Sequence, residues 1–356
     1  MYSYGHGGNA VFEQGNENTI DLSANINPLG MPEGVADAIN REIADVTRYP
    51  DNFSSKLRAR IAEYERIDPD FIFCAGGASD IIFRLPRAAR AKKAMVAAPT
   101  FSDYERSAVS YGCPVVRYAL SPDDNFNLNA GFLDAVRREK PDLIFVCNPN
   151  NPTGKLTGTG LIEELLDCCS SFGARVVLDE CFLDFADEAD ICTGKIFLNR
   201  CPNLIVLKAF TKIFALPGLR LGYAMCADTA FLDGLRFHGA DWPVSNLAQA
   251  AGMAALTNAD EFIKKTRNFV SAEREIIEQA LTQLGYKIFA SAANYVFLQN
   301  PYPFDLREKL DKKGFRIRSC GNYYELDGSF YRVAVSTVEN NNKFLTAVTA
   351  ITQTEL

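Results

Sequence analysis

Between residues 71 and 226, short apolar runs alternate with amphipathic stretches. The runs are FIFCAG (71–76), KAMVAAP (93–99), VVRYAL (115–120), DLIFVCN (142–148), RVVLDE (175–180), NLIVLKAF (203–210) and RLGYAMC (220–226). Each holds four to eight residues rich in Val, Ile or Phe and is bounded by Gly, Pro or Asp, so each reads as a buried strand. The intervening segments, such as TGLIEELLDCCSSF (159–172), have helical spacing. Strand and helix in alternation predict an α/β layer with a mostly parallel seven-stranded sheet flanked by helices.

Past residue 255 the pattern changes. Phe262, Ile263, Thr266, Phe269, Val270, Ile276, Ile277, Ala280, Leu281 and Leu284 recur at helical spacing, with Asn258 as the expected N-cap and Gly285 as the stop. NYVFLQ, FRIRSC and FYRVAVS follow as shorter strand candidates. The division expected is a large domain over 36–250. A smaller α+β domain would be made from 251–356 and joined in space by 1–35.

Composition narrows the functions. Of 356 residues, 47% are hydrophobic, enough for a sizeable core. There are 44 acidic and 37 basic residues without a Lys/Arg block, which speaks against a nucleic-acid groove or a membrane-surface patch. The ten cysteines form no C-x-x-C pair, and Cys74 and Cys147 lie inside apolar runs, as expected of free thiols in a reducing compartment. The N-terminus lacks a basic and apolar leader pattern, and no run reaches the ~18 apolar residues of a membrane span. A soluble, cytoplasmic protein is the expectation. With only His6 and His238, the chain lacks the parts for a His-based metal cluster, so no metal is expected. Gly154-Lys155 is followed by Leu156, which removes the P-loop reading, and G-x-G-x-x-G does not occur.

Four elements then appear in order at or just beyond the C-terminal ends of these strands: AGGASD (75–80), CNPNNPTG (147–154), VVLDE (176–180) and TKIFALPGLRLGY (211–223). That edge of an open α/β sheet is where ligands bind. AGGASD, following a strand and opening a helix, suits an anion; a purely structural strand-to-helix turn is the alternative. Lys212 sits just past a strand in apolar surroundings, where an amine must be paired or used covalently.

This spaced set resembles the fold-type-I aminotransferases that use pyridoxal 5′-phosphate, particularly the histidinol-phosphate aminotransferase branch. The resemblance implies that Lys212 carries the cofactor as a Schiff base and that Asp179 faces the pyridine nitrogen. It implies that Asn151 donates to the phenolic oxygen and that Phe101 stacks on the ring, although a core aromatic also fits Phe101. The phosphate would be held by backbone N–H groups near Gly77, Ala78 and Ser79, by the hydroxyls of Ser79 and Thr211, and by Arg220. Tyr49 in RYPD (48–51) matches a tyrosine that reaches the phosphate of a neighbouring subunit, which implies a homodimer. Two positions depart from the aminotransferase pattern: Phe182 where a Tyr is usual, and Ala209 where a Ser or Thr is usual.

HGGN (6–9), DLSANINPLGMP (21–32), the D-E-x-F-x-D-F run (179–185), ANY (293–295), IRSCGNY (317–323) and YRVAV (331–335) are similar to the L-threonine-O-3-phosphate decarboxylases of cobalamin biosynthesis, a group in which Phe182 is expected. That resemblance implies a phosphorylated amino-acid substrate. Arg318 and Arg332 would receive its anionic groups, and His6, Asn25 and the backbone N–H groups of Gly7 and Gly8 would complete a phosphate cradle. A histidinol-phosphate-type aminotransferase and a decarboxylase preferring L-serine O-phosphate remain as alternatives.

Overall fold

The structure, a computed structural model, describes residues 7–8 and 19–355. It opens with a short strand, β1 (Ile20–Asp21). All seven apolar runs form strands: β2 (Ile72–Ala75), β3 (Ala94–Ala98), β4 (Val115–Ala119), β5 (Leu143–Cys147), β6 (Arg175–Asp179), β7 (Leu204–Ala209) and β8 (Gly222–Met225). They make one sheet in the order β2-β8-β7-β6-β5-β3-β4. Only β8 runs against its neighbours, and every other pairing is parallel. Helices cover both faces, so both faces must be apolar, which is why these strands read as continuous runs rather than as alternations.

Alternate residues divide between two cores. On β2, Phe73 and Ala75 pack with Ile81, Ile82 and Leu85 of the helix Ala78–Ala88, while Ile72 and Cys74 face the larger core on the other side. The edge strand β4 is only partly buried and carries Arg117, a charge that discourages edge-to-edge pairing.

The helix expected after residue 258 spans Ala259–Gln283. Asn258 occupies the cap position in a left-handed conformation (φ 57°) but makes no side-chain cap bond; Asp260 and Glu261 in the first turn offset the helix dipole instead. Gly285, at φ 87°, follows the helix end as anticipated. Beyond it come β9 (Lys287–Phe289), β10 (Tyr295–Gln299), β11 (Phe315–Arg316), β12 (Arg318–Ser319) and β13 (Phe330–Ala334). A four-stranded antiparallel sheet has the order β12-β13-β10-β9, and β11 pairs in parallel with β1.

FRIRSC is therefore two strands and not one. The chain leaves one sheet at Arg316 and enters the other at Arg318, with Ile317 buried at the corner. This corner has a consequence for the site. It puts Arg318 directly opposite Arg332 across the β12–β13 pair. All ten cysteines are free thiols.

Candidate active site

Parallel strands end at a common edge, so the loops that follow them converge. Here β5 ends at Cys147 and leads to Asn151, β6 ends at Asp179, and β7 leads through Ala209 to Thr211 and Lys212. These residues, together with Ala78, Ser79, Phe101, Arg220 and, from the chain's two ends, Gly7, Asn25, Arg318 and Arg332, line one cavity of about 250 Å³.

Asp179 is buried at the floor of this cavity. Its Oδ2 accepts the Tyr104 hydroxyl at 2.7 Å and its Oδ1 accepts the Cys181 N–H at 3.1 Å. Burial pushes its carboxyl above the usual range, and these two neutral donors act the other way. Among the described residues no cation is in ion-pair contact with this buried carboxyl.

Lys212, half-buried in the cavity wall, also lacks an opposite charge in ion-pair contact among the described residues; its Nζ lies 5.7 Å from the centre of the Phe182 ring. Burial and the neighbouring Arg332 guanidinium push its ammonium down to about 8. An amine so placed is a ready nucleophile. Phe182 is itself fixed edge-on against Tyr295, with centroids 5.4 Å apart.

A second subsite surrounds the start of the helix Ala78–Ala88, whose first backbone N–H groups have no partner within the helix. Gly77 has φ 93°, and a Cβ there would lie 2.9 Å from Arg220 Nη2. The guanidinium therefore lies directly over the turn. Gly222 must also lack a side chain, because its Cβ would come within 2.6 Å of the Ala78 nitrogen. The Gly77 N–H, expected to face an anion, is instead donated to the Ala75 carbonyl at 2.7 Å, leaving the amides of Ala78 and Ser79 for that task. The Ser79 hydroxyl donates to Asp103 at 3.1 Å.

The third subsite is cationic. Arg332 is buried and donates through Nη2 to the Ser23 carbonyl at 2.8 Å, and through Nη1 to Asn151 Oδ1. With its amide oxygen turned to the guanidinium, Asn25 accepts from Arg332 Nε at 3.2 Å and Nη1 at 3.3 Å. Tyr295 lies beneath, its ring centre 5.3 Å from the guanidinium carbon. Arg318 donates to the Ser319 carbonyl and to Asn322 Oδ1, both at 2.8 Å, and packs over Tyr323.

Gly7 lines this cavity, but the Gly8 N–H, expected in the phosphate cradle, is donated to the Ser23 hydroxyl at 3.0 Å. His6 lies outside the described residues. Tyr49 does not line the cavity of its own chain; it is 78% exposed and stacks on Trp242 at 4.3 Å. Sequence reasoning missed Tyr104, Asp103 and Ser23. Tyr104 lies in the first turn of the helix Ser102–Ser110, directly after Phe101, and packs edge-on against that ring at 5.5 Å.

The fold and this edge-of-sheet site belong to a known class. Residues 17–348 match the family model described as aminotransferase class I and II, and the chain belongs to that family. Among its relatives, the threonine-phosphate decarboxylase of Salmonella typhimurium is 33% identical over 98% of this chain and 96% of its own length. A putative threonine-phosphate decarboxylase of Caldanaerobacter subterraneus subsp. tengcongensis is 34% identical over 96% and 92%. Among solved structures, the histidinol-phosphate aminotransferase of Clostridium acetobutylicum superposes with a TM-score of 0.87 at 26% identity, covering 94% of this chain and 99% of its own.

Proposed function

We propose that this protein is a pyridoxal-phosphate-dependent decarboxylase that converts L-threonine O-3-phosphate to (R)-1-amino-2-propanol O-2-phosphate and CO2 in cobalamin biosynthesis. The observation that carries the reading is the pair Arg318 and Arg332, opposite one another on β12 and β13 and both lining the cavity that contains Lys212. Two guanidinium groups on a rigid sheet suit a dianionic phosphate. The decarboxylase names of two near-full-length relatives support the same reading.

The residues present fit the cofactor. Asp179, buried and without a cation in contact among the described residues, suits a protonated ring nitrogen, and the amides of Ala78 and Ser79 with Arg220 suit a phosphate. Thr211 and Ser79 would add hydroxyls to that phosphate, Phe101 a stacking face, Asn151 an amide donor, and Lys212 the covalent anchor. When bound, pyridoxal phosphate supplies a ring that draws electrons from the bonds at the amino acid's α-carbon.

Which bond breaks depends on how the chain orients the substrate. Arg318 and Arg332, with Asn25 bonded to Arg332, would hold the substrate's phosphate and so set which bond at the α-carbon is presented to the cofactor. Orientation of this kind is worth several kcal/mol of barrier. Lys212, in its ammonium form, would be the group placed to give a proton to the α-carbon, becoming the neutral amine. Phe182, carrying no hydroxyl, leaves Asn151 as the donor beside the ring.

One methyl group in a pocket is worth ~1–3 kcal/mol, so L-serine O-phosphate is the competing substrate to test. The high similarity to an aminotransferase structure keeps transamination as the second reading. A homodimer in the cytoplasm is part of the proposal. Tyr49, Phe53 and Trp242 give the surface an exposed aromatic group suited to a second copy, and ten free thiols suit a reducing compartment.

The test is to incubate the protein, loaded with pyridoxal phosphate, with each phosphoamino acid and identify the products. Release of CO2 and the matching amine phosphate supports the reading. A phosphorylated keto acid in their place overturns it.

A further inference from the structure

Ser23 makes contacts in two directions. Its carbonyl accepts from Arg332 Nη2 at 2.8 Å, while its hydroxyl oxygen accepts the Gly8 N–H at 3.0 Å. The same hydroxyl donates to Asp21 Oδ1 at 2.6 Å, and the Ser23 N–H donates to that oxygen at 2.8 Å. Asp21 therefore fixes the rotamer of Ser23. A hydroxyl that donates to a carboxylate is also a stronger acceptor, because hydrogen bonds in a chain polarise one another.

The segment is fastened from both sides. The Leu22 N–H donates to the Arg316 carbonyl and the Leu22 carbonyl accepts from the Ala334 N–H, each at 2.8 Å, so Ser23 is held beside the strand that carries Arg332. Gly7 packs so closely on Ser23 that a Cβ would lie 2.3 Å from the Ser23 carbonyl oxygen. Gly7 also lines the cavity next to Ser23, Asn25 and Arg332. The Gly8 amide is thus spent on holding the chain, and the element it holds is the glycine pair at the anionic end of the cavity.

We infer that Asp21 and Ser23 form a latch that fastens the Gly7–Gly8 strap to Arg332 and so shapes the pocket around the substrate's phosphate. The two are positioning residues; they act through Gly7 and Arg332 rather than by touching substrate. The inference rests on the proposed reading of the Arg332 subsite as the phosphate site.

Ser23→Ala removes the hydroxyl and leaves the carbonyl contact to Arg332. Asp21→Asn removes the charge that holds the rotamer, and Ser23→Thr restores a hydroxyl. With the loaded enzyme, Ser23→Ala raises KM for L-threonine O-phosphate on the order of tenfold, the worth of one charge-assisted hydrogen bond, with a smaller change in kcat and unchanged cofactor retention. Asp21→Asn moves in the same direction and Ser23→Thr returns toward wild type.

Amide exchange is followed in parallel on the peptide carrying Gly7 and Gly8, with inorganic phosphate as the probe. Phosphate slows exchange in the wild type, and the slowing is lost in Ser23→Ala. Wild-type KM together with wild-type phosphate protection in Ser23→Ala overturns the latch and leaves the decarboxylase reading intact. If the wild type releases no CO2, that reading falls and the latch is decided by the phosphate protection alone.

Discussion

Tyr104 donates its hydroxyl to Asp179 at 2.7 Å, deep at the sheet edge, where both side chains are buried. The ring of Tyr104 is stacked on Phe145 at 5.0 Å, so the hydroxyl is held on a rigid arm. Asp179 also accepts the Cys181 N–H at 3.1 Å and faces the Cys181 thiol. Tyr104 thus helps to fix where this buried carboxyl points, and on the proposed reading where a protonated ring nitrogen would be received.

Tyr104→Phe keeps the stacking and removes the donor. Burial then pushes the Asp179 carboxyl higher still, because one of the groups opposing that shift is gone. Pyridoxal phosphate affinity should fall on the order of tenfold, the effect of one hydrogen bond to a charged group. Equilibrium titration of the apo-protein with cofactor, followed by quenching of protein fluorescence, checks this. Unchanged affinity would mean that Asp179 needs no such support.

Lys212 gives a pH prediction. Its ammonium is pushed down to about 8, and the neutral amine is the nucleophile, so the reactive fraction grows as pH rises. The rate at which apo-protein captures pyridoxal phosphate should therefore climb through pH 8 and flatten above it. Stopped-flow mixing across pH 6.5 to 9.5, run at about constant ionic strength, measures that limb. An amine at the ordinary lysine value would show no plateau in this range. Lys212→Ala should show no covalent capture after borohydride reduction, while weak non-covalent binding persists.

Arg332 should matter for substrate and little for cofactor. It is buried, held by Ser23, Asn25 and Asn151, and placed opposite Arg318. Arg332→Ala is expected to cost about 2–5 kcal/mol in kcat/KM with near-normal cofactor retention. Arg332→Lys keeps the charge but loses the planar fork, and should recover only part of that loss. Steady-state kinetics beside a cofactor-retention assay separates the two effects. Loss of cofactor with normal kinetics after resupply would move Arg332 to the other subsite.

Much of this architecture was legible in the sequence for a physical reason. Strands buried on both faces must be apolar throughout, so β2 to β8 appear as seven unbroken runs within a residue or two of their observed ends. The motifs at the ends of those runs were then placed at one site by the rule that ligands bind at that sheet edge, while the choice of Asn151, Asp179 and Lys212 within them came from the resemblance to the aminotransferases.

Contacts between distant segments were not legible. Nothing in FRIRSC announces that the chain changes sheets at Ile317, because Phe315 and Ile317 alternate like any strand. Ser23 meets Arg332 across 309 residues and Tyr104 meets Asp179 across 75, and no local pattern encodes either contact. The Gly8 amide was expected to serve an anion, since a glycine pair looks the same whether its N–H groups face a ligand or a neighbouring hydroxyl.

The central claim is the choice of bond broken at the α-carbon, and a product count over many turnovers tests it most directly. Enzyme loaded with pyridoxal phosphate is mixed with excess L-threonine O-phosphate and no keto-acid acceptor, and CO2, amine phosphate and pyridoxamine phosphate are measured together. Decarboxylation predicts CO2 and amine phosphate in equal amounts, many per active site, with pyridoxamine phosphate remaining a trace. Conversion of the cofactor to pyridoxamine phosphate, one per site and without CO2, would contradict it and show an aminotransferase.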